Sequence, residues 1–216
     1  MIEAVIFDID NTLTDDVSWL RSTELMGADP GVHRQIFEKM LQNELTYEQA
    51  KAQLIQLWRD TGNANHDYWQ SMFVNWPLKQ GAVELVNHAQ SMGLQTAIIT
   101  GSYDLFAAAI AKKLNIGHYY ANTLTRWDEE GNLLDFDYTR EQAARKLEHL
   151  RKFCTVAGIA MEQCVAVGDG ENDVEIFKAT RHGIAVSSEH QPLVDVAEHV
   201  VGSLTEVAPL LSQCSK

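Results

Sequence analysis

The chain opens with four apolar positions in a row, Ala4–Phe7, and then turns polar at once in D-I-D-N-T-L-T-D-D. A run so short and so uniformly apolar fits a strand covered on both faces. Similar runs recur at 95–99, 119–122, 164–167 and 183–186, with a weaker one at 199–201. Between them, apolar residues fall at helical spacing over 81–92, 103–114, 140–157 and 173–179, and again at 205–211. Strands alternating with helices predict an α/β fold with a parallel sheet and helices on both faces.

Two segments break the alternation. From Asp15 to Trp76 no strand pattern appears, and Glu, Gln, Ala, Leu and aromatic residues dominate. Within it, T-Y-E-Q-A-K-A-Q-L-I-Q-L-W sets Ala50, Leu54, Leu57 and Trp58 on one helical face. This predicts a helical insert over 15–77, closed by Asn75-Trp76-Pro77, where the proline stops a helix. Residues 1–14 and 78–216 then form the core. The other arrangement open to these helices is as a cover for the main sheet. The second break is T-L-T-R-W-D-E-E-G-N-L-L-D-F-D-Y. Its two β-prone runs flank a glycine turn and predict a hairpin.

Composition narrows the partners. With 216 residues, 45% of them apolar, the chain can build one sizeable core and a smaller insert. Thirty acids against seventeen bases leave a net charge of -13, which argues against nucleic acid and anionic membranes. A small anionic substrate stays admissible, because a bound cation reverses the local sign. Cys154, Cys164 and Cys214 have no metal-ligand spacing and predict unpaired thiols in a reducing, cytoplasmic setting. Neither a signal peptide nor a membrane span is legible.

In open α/β sheets, ligands bind beyond the carboxyl ends of the strands. Those ends carry Asp8 and Asp10, then Thr100-Gly101-Ser102, then G-D-G-E-N-D from Gly168 to Asp173. In an extended segment Asp8 and Asp10 point the same way, and two close anions need compensation. A shared Mg²⁺ with Asp169 as third ligand would supply it. Asp173 serves either that site or only as a helix cap. Thr100-Gly101-Ser102 offers hydroxyls and open backbone N–H groups to an anion. On the 140–157 helix, Ala143, Leu147, Leu150 and Cys154 form the inward stripe. Lys146 lies about 60° from its centre, so it either reaches the site or snorkels outward. Arg140 is its competitor.

Taken together, D-I-D-N-T resembles the D-x-D-x-T motif of the haloacid dehalogenase-like superfamily. A-I-I-T-G resembles the second motif, Lys146 the third and G-D-G-E-N-D the fourth, in the expected order from Phe7 to Asp173. G-D-G-x-N-D and the hairpin before the lysine helix look most like the phosphoserine phosphatase branch. The resemblance implies a Rossmann-like core with a type C1 helical cap. It further implies a Mg²⁺-dependent phosphomonoesterase acting on a small phosphorylated metabolite. Asp8 would be the nucleophile and Asp10 the general acid and base. Thr100, Gly101, Ser102, Lys146 and Asn172 would hold the phosphoryl group. Mg²⁺ would sit on the Asp8 and Asp169 carboxylates and the Asp10 carbonyl, with Asp173 and Thr12 in support. A phosphotransferase to another alcohol, and a catalytically idle binding protein, are the alternatives.

The likeness also has gaps. The branch's cap glutamate and arginine fall on Val17 and near Leu54, and Ser102-Tyr103 replaces its second glycine. These departures argue against phosphoserine as substrate. Asp15, Asp16, Trp19, Arg21, Tyr47 and Trp69 are the candidates to line a pocket. An acidic and aromatic lining would suit an amine or quaternary ammonium group.

Overall fold

A computed structural model describes residues 1–214. The chain runs β1 (Ala4–Phe7), α1 (Ser18–Leu25), α2 (Pro30–Leu41), α3 (Tyr47–Arg59), α4 (His66–Val74), α5 (Ala82–Ser91), β2 (Gln95–Tyr103) and α6 (Asp104–Lys113). It continues through β3 (His118–Trp127), β4 (Leu133–Asp137), α7 (Gln142–Ala157), β5 (Cys164–Gly168), α8 (Val174–Thr180), β6 (Gly183–Val186), α9 (Gln191–Val194), β7 (His199–Val201) and α10 (Val207–Cys214). The seven strands form one sheet in the order β4-β3-β2-β1-β5-β6-β7. All pairs are parallel except the β3–β4 hairpin.

The chain lays down β1 to β4 outward in one direction, then returns to put β5 on the other side of β1. The strand order therefore reverses between β1 and β5, which is where an open α/β sheet binds its ligand. β1 is wholly buried because it is central and covered on both faces. Val5 and Phe7 join the core that contains α5, α6 and α10 side chains. Ala4 and Ile6 join the opposite core with Leu150 and Phe153 of α7 and Ile176 and Phe177 of α8.

The expected insert holds four helices. Three of the starts have a local cause: Asp29 caps α2 ahead of Pro30, Thr46 and Gln49 make a capping box for α3, and Asn65 caps α4, whereas α1 starts after Val17 with no side-chain cap. The apolar faces of α3 and α4 join the first core, while Ile36 and Met40 of α2 pack with Ala50 in a small cluster of their own. Trp58, Trp69 and Phe73 are all fully buried with Tyr103, Phe106 and Phe136. An isolated bridge from Asn65 to Asn132 ties the insert to the hairpin. The two passages of chain into and out of the insert run side by side: Lys79 N donates to Leu13 O at 2.8 Å, and Lys79 Nζ reaches Asn11 O.

Several boundaries differ from the pattern. β2 continues through Thr100-Gly101-Ser102 to Tyr103, because Tyr103 is pulled into the aromatic core, and its pairing with β3 is irregular there. The 119–122 strand is the first half of a ten-residue β3 that carries straight on into the hairpin. A 3-10 turn, Glu171–Asp173, precedes α8. Among the described residues no helix is long and apolar enough to cross a membrane.

Candidate active site

The three strand ends converge at the reversal point. Asp8 follows β1, and its backbone N–H still donates to Val167 O of β5 at 3.0 Å, so the ladder itself sets its position. Thr100 lies on β2, and Asp169 follows β5. Lys146 comes from α7 and is completely buried, which settles the choice between reaching inward and snorkelling. Arg140 is exposed and donates to Met40 O at 3.4 Å.

Lys146 Nζ is 2.8 Å from Asp173 Oδ1 and 3.1 Å from Asn172 Oδ1, donating to both. It lies 2.9 Å from Asp8 Oδ1 as an ion pair, off the line that a hydrogen bond needs. Burial by itself would push the Lys146 ammonium down, but Asp173 and Asp8 outweigh burial and hold it raised.

Asp8, Asp169 and Asp173 each bring a carboxylate oxygen within 4.8 Å of the others. One lysine does not balance three acids. Burial raises Asp173 to about 7 despite Lys146, with Asp8 adding to the rise. Burial and then Asp8 raise Asp169 to about 6. Three oxygen donors under repulsion suit a hard dication. Asp173 begins α8 without capping it through a side-chain bond. Its Oδ2 instead accepts from the backbone N–H groups of Asp169 and Gly170 at 3.3 and 3.4 Å. Gly168 makes room: a Cβ there would lie 2.4 Å from Asp173 Oδ2. Thr12 Oγ1 donates to Asp169 Oδ1 at 3.2 Å, and Ser188 Oγ donates to Asp169 O at 2.6 Å.

The Asp10 carboxylate is not among the oxygens that gather within 4.8 Å of one another, although the Asp8 charge still acts on it. Beyond Asp10 the chain turns: Asn11 takes a left-handed φ of 52° as the backbone N–H groups of Thr12, Leu13 and Thr14 fold back onto Ile9 O. Asp10 Oδ2 accepts a hydrogen bond from Ser18 Oγ at 2.7 Å. Its Oδ1 is buried and has no partner among the described residues. Burial pushes the Asp10 carboxyl up to about 8, with the Asp8 charge adding and the Ser18 bonds opposing. A carboxyl that keeps its proton near neutrality can donate it.

Thr100 is buried, and its Oγ1 accepts from Ser102 N at 3.2 Å. Gly101 is hemmed in: a Cβ would meet Gln142 Oε1 at 2.9 Å and Asn172 Nδ2 at 3.1 Å. Ser18, Gln142 and the buried Tyr103, whose hydroxyl has no partner among the described residues, carried no motif signal. Ser18 is a polar residue at a helix start, which the chain could have used anywhere.

The pocket candidates scatter. Trp69 is core, and Arg21 is half-buried and engages Glu24. Asp15 is mostly exposed, 3.6 Å from Lys79. Asp16 is half-buried, and its carbonyl accepts from Thr14 Oγ1 at 3.4 Å. Tyr47 stacks on Tyr138 and accepts from its backbone N–H. Trp19, half-buried and next to Ser18, lies over Tyr103 with ring centres 4.4 Å apart.

Residues 2–180 match the sequence profile of the haloacid dehalogenase-like hydrolases. Among curated proteins, the chain is 26% identical over 196 residues to a phosphoserine phosphatase of Methanocaldococcus jannaschii, covering 88% of this chain and 87% of that one. It is 28% identical over 220 residues to a phosphoserine phosphatase of Idiomarina loihiensis, covering 97% and 93%. Its fold is that of solved phosphoserine phosphatases. A phospho-aspartyl intermediate analogue superposes with a TM-score of 0.74 at 21% identity, covering 97% of this chain and 98% of that one. A substrate-bound complex gives 0.74 at 22% identity with the same coverage.

Proposed function

Because the chain belongs to the haloacid dehalogenase-like hydrolases and is a phosphatase of the phosphoserine phosphatase-like branch, we propose that it hydrolyses a small phosphomonoester through a phosphorylated Asp8. The observation that carries this reading is the pairing of two carboxyls with opposite settings. Asp8 is ion-paired to the buried Lys146. Asp10 is raised to about 8 and keeps one oxygen free.

Asp8 attacks phosphorus while the phosphorus–oxygen bond to the alcohol breaks. The Asp10 carboxyl gives its proton to the departing oxygen, leaving an acyl phosphate, a free alcohol and an Asp10 carboxylate. Asp10 then takes a proton from a water whose oxygen attacks phosphorus. Asp8 leaves as carboxylate, phosphate is released and Asp10 is protonated again. Lys146, Thr100 and Asn172 hold the phosphoryl oxygens, with Gly101 and Ser102 lining the approach. Mg²⁺ on Asp8 and Asp169, with Asp173 and the Asp10 carbonyl at hand, would supply positive charge to the phosphoryl group. The crowded oxygens and the raised acids fit such an ion.

We assign residues 15–77 to a cap over this site, joined to the core by the adjacent passages at Leu13 and Lys79. The alcohol part of the substrate differs from serine. Val17 is apolar and partly exposed, Leu54 is packed inside, and Lys51 is engaged by Glu48 and Asp135. A reducing cytoplasm suits the free Cys154 and Cys164, whose Sγ atoms stand 3.7 Å apart; the side chain of Cys214 lies outside the described residues.

A panel of phosphorylated metabolites, assayed with Mg²⁺ and with chelator, tests the reading. Turnover should require the ion, and Asp8→Asn should abolish both turnover and phosphoenzyme. Asp10→Asn should cut turnover by about 10² or more. Mg²⁺ at 100 times its dissociation constant should stabilise the fold by about 2.7 kcal/mol. Release of the phosphoryl group mainly to added alcohols would instead favour the transferase.

A further inference from the structure

Ser18 and Ser102 are both buried, and they come from opposite sides of the site. Ser18 begins α1 at the root of the insert, whereas Ser102 lies on β2 of the core. Their hydroxyl oxygens are 2.5 Å apart, and Ser18 Oγ is also 2.7 Å from Asp10 Oδ2. A serine hydroxyl has one proton. Ser18 donates its proton to Asp10, so the bond between the serines must be donated by Ser102.

We propose that this two-serine relay is the positioning device of Asp10: it occupies Oδ2 and leaves Oδ1 as the oxygen that serves the leaving group. The inference rests on the phosphatase reading above and goes beyond it, since that scheme gives neither serine a part in orienting Asp10. An isolated carboxylic acid can carry its proton on either oxygen and rotate about its terminal bond. With Oδ2 held as an acceptor at the end of a directed chain, both freedoms are reduced. The free Oδ1 is the buried, unpartnered atom that only a bound substrate or water can satisfy. Ser18 and Ser102 are therefore positioning residues, acting through Asp10.

Leaving-group dependence separates this role from simple packing. An alkyl alcohol cannot depart without a proton, while p-nitrophenolate can. The quantity to read is kcat/KM, which reports only steps up to alcohol departure and so omits the later use of Asp10 as base. Wild type, Ser18→Ala, Ser102→Ala and Ser18→Thr are assayed with ethyl phosphate and p-nitrophenyl phosphate in saturating Mg²⁺. For Ser18→Ala, kcat/KM on ethyl phosphate should fall at least tenfold further than on p-nitrophenyl phosphate. Ser102→Ala should show the same selectivity at smaller size, and Ser18→Thr, which keeps the donor, should recover most of the loss. Equal losses on both esters, or no recovery with threonine in a variant that melts like wild type, would overturn the relay. Wild-type failure on both esters would count against the phosphatase reading itself, and the relay would fall with it.

Discussion

One added methyl group can probe how tightly the acid cluster is built. A Cβ on Gly168 would meet Asp173 Oδ2 at 2.4 Å and Asp173 Cγ at 2.5 Å, so Gly168→Ala must move the carboxylate that anchors Lys146. Overpacking of this kind costs about 1–3 kcal/mol, and the lysine would lose its shortest partner. The variant should show a lowered Tm and at least tenfold weaker turnover, read together by thermal melting and a phosphate-release assay. Gly170 offers a control, since its nearest such contact is 3.7 Å away. The motif G-D-G-E-N-D marks both glycines alike in the sequence. Only their surroundings distinguish the one that makes room for a side chain from the one with slack.

The helices of the insert are held by aromatic packing more than by their own propensity. Trp58 of α3 is fully buried. It contacts the rings of Trp19, Trp69 and Phe136 at centre distances of 6.2, 5.5 and 5.8 Å, and its Nε1 donates to Thr23 Oγ1 at 2.8 Å. It thus joins α1, α3, α4 and the β4 strand. Trp58→Ala should lose about 3–5 kcal/mol in denaturant titration, while Trp58→Phe should lose less. The helical spacing of Ala50, Leu54 and Trp58 was legible along the chain. The continuation of that apolar face into Tyr103 and Phe106 of the core was not, because periodicity locates a buried face and says nothing of what covers it. For the same reason β2 was read four residues short. Its polar end, Thr100-Gly101-Ser102, looks like a loop until Tyr103 is seen to be anchored.

For the molecule as a whole, the cost of buried ionisable groups appears as pH dependence. His33 is buried against Thr23 and the Trp19 and Trp58 rings, and burial pushes it down to about 4. Unfolded, it would take a proton at about 6.5. Below that pH the unfolded chain binds a proton that the folded chain refuses. Stability is therefore lost as pH falls from about 6.5 to about 4, by up to about 3 kcal/mol. The raised acids of the site work the other way, gaining protons in the folded state first, so the effect is read as a difference. Relative to wild type, His33→Gln should become more stable by up to that amount between pH 7 and pH 4, measured by urea titration. A constant difference across the range would exclude the assignment.

Local chemistry explains why so much could be read in one dimension. A central parallel strand must be apolar throughout, a cap needs its Thr or Asp, and a metal-assisted phosphoryl site needs carboxylates at strand tips. Each of these demands falls on neighbouring residues and leaves a trace among them. Asp8, Asp169 and Lys146 could be picked out on such grounds. Convergence is another matter. Asp173 joins Asp8 and Asp169 in the carboxylate cluster, and Asp10 bonds a serine eight residues on. The burial that raises one acid and lets its neighbour pair with lysine arises from elements far apart in the chain packing together. Contacts among residues far apart in the chain exist only in the folded state, so no local pattern encodes them.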